Sequence, residues 1–152
     1  MLQLADNLHI IRTNMLTVID GLSMDQLTRI PSGFNNNMIW NLGHALATQQ
    51  LLVYKLSGLP MKVDEAFVDR YRKGTSPGDQ LPYEEDLAFI KSQLFPLAEK
   101  MGKDFEAQLF VHFQEYETSF GVKLHDAYEA ATFNNLHETL HLGYMMAMKH
   151  CL

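Results

Sequence analysis

The sequence predicts an all-α fold, a four-helix bundle with one or two long connections. Apolar residues recur in steps of three and four along extended segments. Helix-stopping Gly and Pro fall between those segments. No strong alternating strand pattern, internal repeat or low-complexity stretch is present. A chain of 152 residues supports one well-filled core, so a single domain over 1–152 is expected.

Each element can be read in order. Leu4, Leu8, Ile11, Met15, Val18 and Leu22 form one stripe of an amphipathic helix that ends near Asp20-Gly21. Ser23-Met24-Asp25-Gln26 reads as a short cap or turn, and Pro31-Ser32-Gly33 as a loop. Asn35-Asn36-Asn37 offers several N-caps for a second helix from about Asn36 to Ser57, stopped by Gly58-Leu59-Pro60. Residues 61–81 read as a long connection, partly helical and then a flexible loop over Gly74-Thr75-Ser76-Pro77-Gly78. A third helix opens at Pro82 and runs through Leu87, Ile90, Leu94 and Leu97, with Pro96 expected to bend or end it. Lys103 to Phe120 is less regular. A last long helix is expected from about Lys123 to Lys149.

Composition narrows the function. Nearly half the residues are apolar and a fifth are charged, with a net charge of −6 and no Lys/Arg cluster on the scale of a nucleic-acid footprint. A phosphate backbone would be repelled, so no nucleic-acid partner is expected. No apolar run approaches the roughly 20 residues of a membrane span, and the start of the chain lacks the basic and apolar blocks of a signal peptide. The only cysteine is Cys151, so no intrachain disulfide can form. Together these predict a cytoplasmic protein without a membrane partner.

The last helix carries His137-Glu138-Thr139-Leu140-His141. Imidazoles four residues apart on a helix differ by about 40° in azimuth and roughly 6 Å along the axis, so both can reach one divalent ion. This is the HExxH spacing, in which Glu138 would be the general base of a zinc hydrolase. Such hydrolases need a third ligand downstream. The eleven residues after His141 contain His150 but no Asp or Glu, and position 147 is Ala147. A third protein ligand, if there is one, is therefore expected upstream, and a protease is not expected.

On a helical wheel His137 and His141 share an apolar face with Ala130, Phe133, Tyr144 and Met148, so the imidazoles look inward. Glu138 flanks that face, placed to lean toward a metal, to make a supporting hydrogen bond, or to stand half exposed. The second helix supplies the best partner. His44 shares its face with Asn37, Trp40, Asn41, Thr48 and Leu51, a mixture that suits a pocket wall better than a plain core. A single inward His is nevertheless more often a satisfied core residue. Gly43 and Gly143 beside these His suggest close helix approach, room for a ligand, or tolerated accidents.

The segments Trp40-Asn-Leu-Gly-His44, Tyr116-Glu-Thr-Ser-Phe-Gly-Val122 and His137-Glu-Thr-Leu-His-Leu-Gly-Tyr144 together resemble the DinB-like superfamily, also called the DinB/YfiT group. The likeness covers essentially the whole chain in length, helix order and His placement. It implies a four-helix bundle binding a divalent metal, often nickel or zinc, through three His that fall here on His44, His137 and His141. It also implies a homodimer. Characterised relatives include thiol-dependent S-transferases and a mycothiol-dependent isomerase.

Three imidazoles leave open metal positions, the catalytic rather than the structural pattern. A small-molecule substrate is expected, and the resemblance to transferases implies a low-molecular-weight thiol as nucleophile, consistent with the absence of an internal Cys. Trp40, Asn41 and Thr48 are the candidates for lining its pocket. Glu138 and Tyr144 are the catalytic candidates, Tyr144 as hydrogen-bond donor to developing negative charge or as a core Tyr. The run Arg70-Tyr71-Arg72-Lys73 either attracts an anionic cosubstrate or is a solvated helix face. The rival readings are a hydrolase using metal-activated water and a non-catalytic dimeric metal-binding module.

Overall fold

The computed structural model describes residues 2–78 and 81–152. Residue 1, and residues 79 and 80 of the expected 61–81 connection, lie outside the described residues. Helix α1 spans Leu2–Ile19 and stops where Gly21 adopts a left-handed φ of 73°. Ser23 and Gln26 cap each other reciprocally, which turns the expected cap into a short helix α2, Met24–Thr28. Helix α3, Met38–Gln49, begins where the Asn37 side chain accepts the Trp40 backbone N–H at 2.8 Å. It passes without a break into a π-helical stretch, Gln50–Lys55, that ends before Gly58.

Helix α4, Glu65–Tyr71, is the helical part of the long connection. Helix α5, Tyr83–Glu106, opens just after Pro82 and continues past Pro96. The expected stop at Pro96 does not occur. Pro96 and Ser92 are both exposed, so the Ser92 carbonyl that the proline leaves without a donor can turn to water. Residues 123–126 also depart from expectation. Lys123–Leu124 forms strand β2, antiparallel to β1, Tyr116–Glu117, with Tyr116 opposite Leu124. Helix α6, Ala127–Lys149, starts three residues beyond Leu124, where the Asp126 carboxylate accepts the Glu129 N–H at 2.8 Å. Two-residue strands are too short to leave a periodic signal.

The bundle consists of α1, α3, α5 and α6. Both α1 and α3 pack against both α5 and α6, so α1 and α3 sit on one diagonal. Helix α4 lies against α3. Its Tyr71 ring meets the backbone at Gly43, where a Cβ would fall 2.5 Å from a ring carbon. The close approach expected at Gly43 is therefore real. Gly143 has nothing within 4 Å of its Cβ position and faces outward. Among the described residues no helix is long and apolar enough to cross a membrane.

One polar side chain ties the four helices together. Arg12 of α1 is 0 % exposed. It donates to both carboxylate oxygens of Glu138 on α6, at 2.9 and 2.7 Å, to the Gln49 amide oxygen on α3 at 3.0 Å, and to the Leu94 carbonyl on α5. Glu138 is equally buried and also accepts from the Asn134 amide at 2.9 Å. A bidentate pair with its remaining donors satisfied is the form in which burial of two charges can be sustained. Removing one partner should be far worse than removing both. Arg12→Met is expected to cost about 3–5 kcal/mol in chemical denaturation, because it strands the Glu138 charge. Arg12→Met with Glu138→Leu should recover a large part of that loss. Equal destabilisation by the single and double variants would refute this account.

Candidate metal centre

The three sequence-predicted imidazoles converge. His44 comes from α3, and His137 and His141 from α6, with one ligand nitrogen of each within 4.8 Å of the others. The His137 and His141 Nε2 atoms are 3.2 Å apart. Two nitrogens bound tetrahedrally at about 2.0–2.1 Å from an ion stand about 3.3–3.4 Å apart, so the pair is already at ligand spacing. Three neutral nitrogen donors with no carboxylate or thiolate suit a divalent transition-metal ion. The residues fit the group.

Neighbouring residues orient the rings. The His44 Nδ1–H donates to the Tyr71 carbonyl at 2.6 Å, and the His141 Nδ1–H donates to the Asn41 side-chain oxygen at 2.7 Å. Both bonds leave Nε2 as the free ligand atom. The Asn41 amide is held in turn by Asn36 and the Asn37 carbonyl, each at 2.8 Å. The Trp40 indole stacks on His44 at 4.6 Å and 9°, and its N–H donates to the Thr75 hydroxyl at 3.1 Å. His137 Nδ1 is buried without a hydrogen-bond partner among the described residues.

Burial keeps all three rings neutral. Desolvation lowers His137 to about 4, with the neighbouring His44 adding to the effect. Desolvation lowers His141 to about 3, helped by His137 and His44. His44 is also lowered by burial, against an opposing contribution from its bond to Tyr71. Neutral imidazole is the form that binds a cation, so the site is ready for metal at neutral pH.

The imidazoles open onto a cavity of about 490 Å3. Thr48, expected in the pocket, lines it, and its hydroxyl lies 3.4 Å from His44 Nε2. Trp40 and Asn41 stand behind the His rings and position them without lining the cavity. Tyr144 lies away from it, edge-on to Phe34 at 4.9 Å, so its placement matches the core reading of that residue. The expected catalytic role of Glu138 does not fit its position. Both its oxygens are engaged by Arg12 and Asn134 in the bundle interior, and it does not line the cavity. The physical reason is the roughly 100° turn between adjacent helix positions, which points residue 138 into the core while 137 and 141 face the pocket.

The helical wheel already places Leu51 beside His44 and Phe133 beside the His pair, and both line the cavity; Leu52, Lys55, Leu56 and the hairpin residues carry no such reading in the sequence. Leu51, Leu52, Lys55 and Leu56 come from the π-helical stretch and its end. Gln114, Tyr116, Thr118, Ser119 and Phe120 come from the hairpin, which is pinned by the Gln114 N–H to the Leu56 carbonyl at 2.7 Å. The sequence holds one signal for the hairpin residues. A Thr-Ser-Phe-Gly turn puts an exposed aromatic on a loop, a position seldom needed for packing alone.

The contact between Gly43 and Tyr71 generates a test. Tyr71 is fully buried, and its hydroxyl is tied to Asp86 at 2.7 Å, so its ring cannot swing away freely. Gly43→Ala should displace Tyr71 and with it the carbonyl that holds His44. The variant is expected to lose about 1–3 kcal/mol of stability and to bind zinc at least about tenfold more weakly in competition with a chelating dye. Unchanged zinc affinity would show that Tyr71 does not orient the ligand.

Among curated proteins no sequence matches this chain. The sequence pattern of the DinB superfamily matches residues 7–145. That span takes in the bulk of every bundle helix and all three converging imidazoles, and the chain belongs to the DinB superfamily.

Proposed function

We propose that this protein is a divalent-metal-dependent enzyme, and that its reaction is the transfer of a small electrophile onto the sulfur of a low-molecular-weight thiol. The observation that carries this reading is the position of three neutral imidazoles at the wall of a half-open, largely apolar cavity whose lining offers, among the described residues, neither a carboxylate nor a cysteine. A divalent ion, zinc or nickel, held by His44, His137 and His141 supplies Lewis acidity, which makes a thiol acidic enough to ionise near neutral pH.

The chain's own residues do the rest. Asn41 and Tyr71 hold two of the three rings in one tautomer. Leu51, Leu52, Phe133 and Leu140 keep water from the reacting sulfur and give the electrophile an apolar surface. Thr48 offers a hydroxyl beside His44. In the overall reaction the thiol loses its proton, a carbon–sulfur bond forms, and the electrophile's leaving group departs with its electron pair. The hydrolase reading loses its main support because Glu138, its expected base, is committed to Arg12.

Purified chain without an affinity tag should carry close to one equivalent of zinc or nickel, and His44→Ala and His141→Ala should each lose it while remaining helical. The metal-loaded protein should consume aryl halides or epoxides only when a thiol is present, and the His variants should not. Turnover that needs no thiol, or none on any electrophile tried, counts against the transferase reading.

The pH dependence has a defined sign. Burial lowers His137 to about 4 and His141 to about 3, and lowers His44 as well, so protons compete for the ligand nitrogens only well below the range of free imidazoles. Free imidazoles are half protonated near 6.5. Metal content after equilibration at about pH 5.5 should therefore equal that at neutral pH. Release of the ion between about pH 7 and 6 would contradict the buried, neutral ligand set.

A further inference from the structure

The charged residues of the cavity are not arranged as the whole chain would suggest. The chain's net charge is −6, yet the described lining of the cavity contains no Asp or Glu and two lysines, Lys55 and Lys73. The other cations of the 70–73 run are already committed. Arg70 makes a bidentate pair with Asp86 at 2.9 and 2.6 Å, and Arg72 pairs with Asp69 at 3.0 Å. Lys55 and Lys73 form no ion pair among the described residues. The expected ambiguity of Arg70-Tyr71-Arg72-Lys73 therefore resolves residue by residue: the arginines serve the fold, and Lys73 faces the cavity.

The two lysines reach the cavity from different elements. Lys55 ends the π-helical stretch, and Lys73 follows α4 in the loop that carries Thr75 to Trp40. They also both border a second hollow of about 410 Å3, so they mark the boundary between it and the cavity. Lys55 lies eleven positions beyond His44 on one continuous helical run, which is up to roughly 16 Å along the axis. The lining is mainly apolar, with Leu51, Leu52, Leu56, Phe120, Phe133 and Leu140 beside the hydroxyls of Thr48, Thr118 and Ser119. A cavity whose own lining carries two lysines, no carboxylate and a mainly apolar wall, with Glu65 and the Arg72-paired Asp69 lining only the adjoining hollow, matches an elongated amphipathic anion.

We propose that the ligand of this cavity is an organic carboxylate with an apolar body, its carboxylate held by Lys55 and Lys73 and its body lying along the leucine and phenylalanine wall toward the imidazoles. This rests on the reading that the three-imidazole cavity is a small-molecule site, and it names the chemical class that site selects. An ammonium ligand would be repelled. A neutral ligand of the same shape would keep only the apolar contribution.

The test compares octanoate, octan-1-ol and octylamine by calorimetry on zinc-loaded protein. The variants are Lys55→Gln, Lys73→Gln and the double variant, with zinc content measured in each. Both lysines are exposed, so the substitutions leave the core untouched. Octanoate should bind at least about tenfold more tightly than octan-1-ol, and octylamine should not bind. The double variant should lose about tenfold or more for octanoate and little for octan-1-ol, with zinc content unchanged. Equal binding of acid and alcohol overturns the proposal. So does octanoate affinity that follows zinc loading and ignores the lysines, since the carboxylate would then sit on the ion. Lysine-dependent octanoate binding in a protein with no thiol-dependent turnover would keep this inference and remove the transferase reading. Thiol-dependent turnover of neutral electrophiles with no lysine dependence would do the reverse.

Discussion

The buried guanidinium of Arg12 is the constraint on which the arrangement of the bundle depends. It makes hydrogen bonds to α3, α5 and α6 from its position on α1. A charge removed from water must find its partners in one geometry, because any rotation or sliding of a helix would strand a donor in the apolar interior. Apolar side chains tolerate small shifts; this network does not. It therefore sets the rotation of α6 about its own axis. With Glu138 turned inward to Arg12, His137 and His141 are turned toward α3 and the cavity.

The same choice decides the chemistry available to the HExxH segment. In a hydrolase of that pattern the Glu works on water beside the metal. Here it is a core residue, and the two His are left to act with an imidazole from another helix. His44 is positioned by groups that have no charge of their own: a carbonyl from the end of α4, an indole plane, and the absence of a side chain at Gly43 that lets Tyr71 come close. Tyr71 is fixed in turn by Asp86, which Arg70 neutralises. Burial and the hydrogen bond to Asp86 push the Tyr71 hydroxyl well above its ordinary value, so it remains a donor. The π-helical stretch after α3 completes the site. Its wider turn brings Leu51, Leu52 and Lys55 to the cavity from neighbouring positions.

The helices were legible because burial along α1, α3, α5 and α6 imposes a 3.6-residue period that survives in the order of residues. The caps at Asn37 and the stop at Gly58 were legible because they are local. The continuation through Pro96 was not, since it depends on that residue facing water. Nor was the hairpin at 116–124, where two-residue strands leave no alternation and the start of α6 is set by Asp126. The inward face of His137 and His141 could be read from the wheel. Glu138 could not be placed, because its partner is 126 positions away at Arg12. Asn41 was singled out correctly as belonging near the site, but its place behind His141 rather than in the cavity is a matter of distance across two helices.

By itself the sequence determined which residues could become ligands, since only imidazoles spaced by one helical turn can share an ion without help from the rest of the chain. It also determined that the fold would be helical and that no cysteine would stand inside it. Tertiary structure alone decided that His44 joins that pair, that Glu138 does not serve the cavity, and that Lys55 and Lys73 both line it. The physical reason is range. Propensity, capping and periodicity act over a few residues, whereas the convergence of side chains distant in sequence follows from how buried charge and packed faces settle the helices against one another.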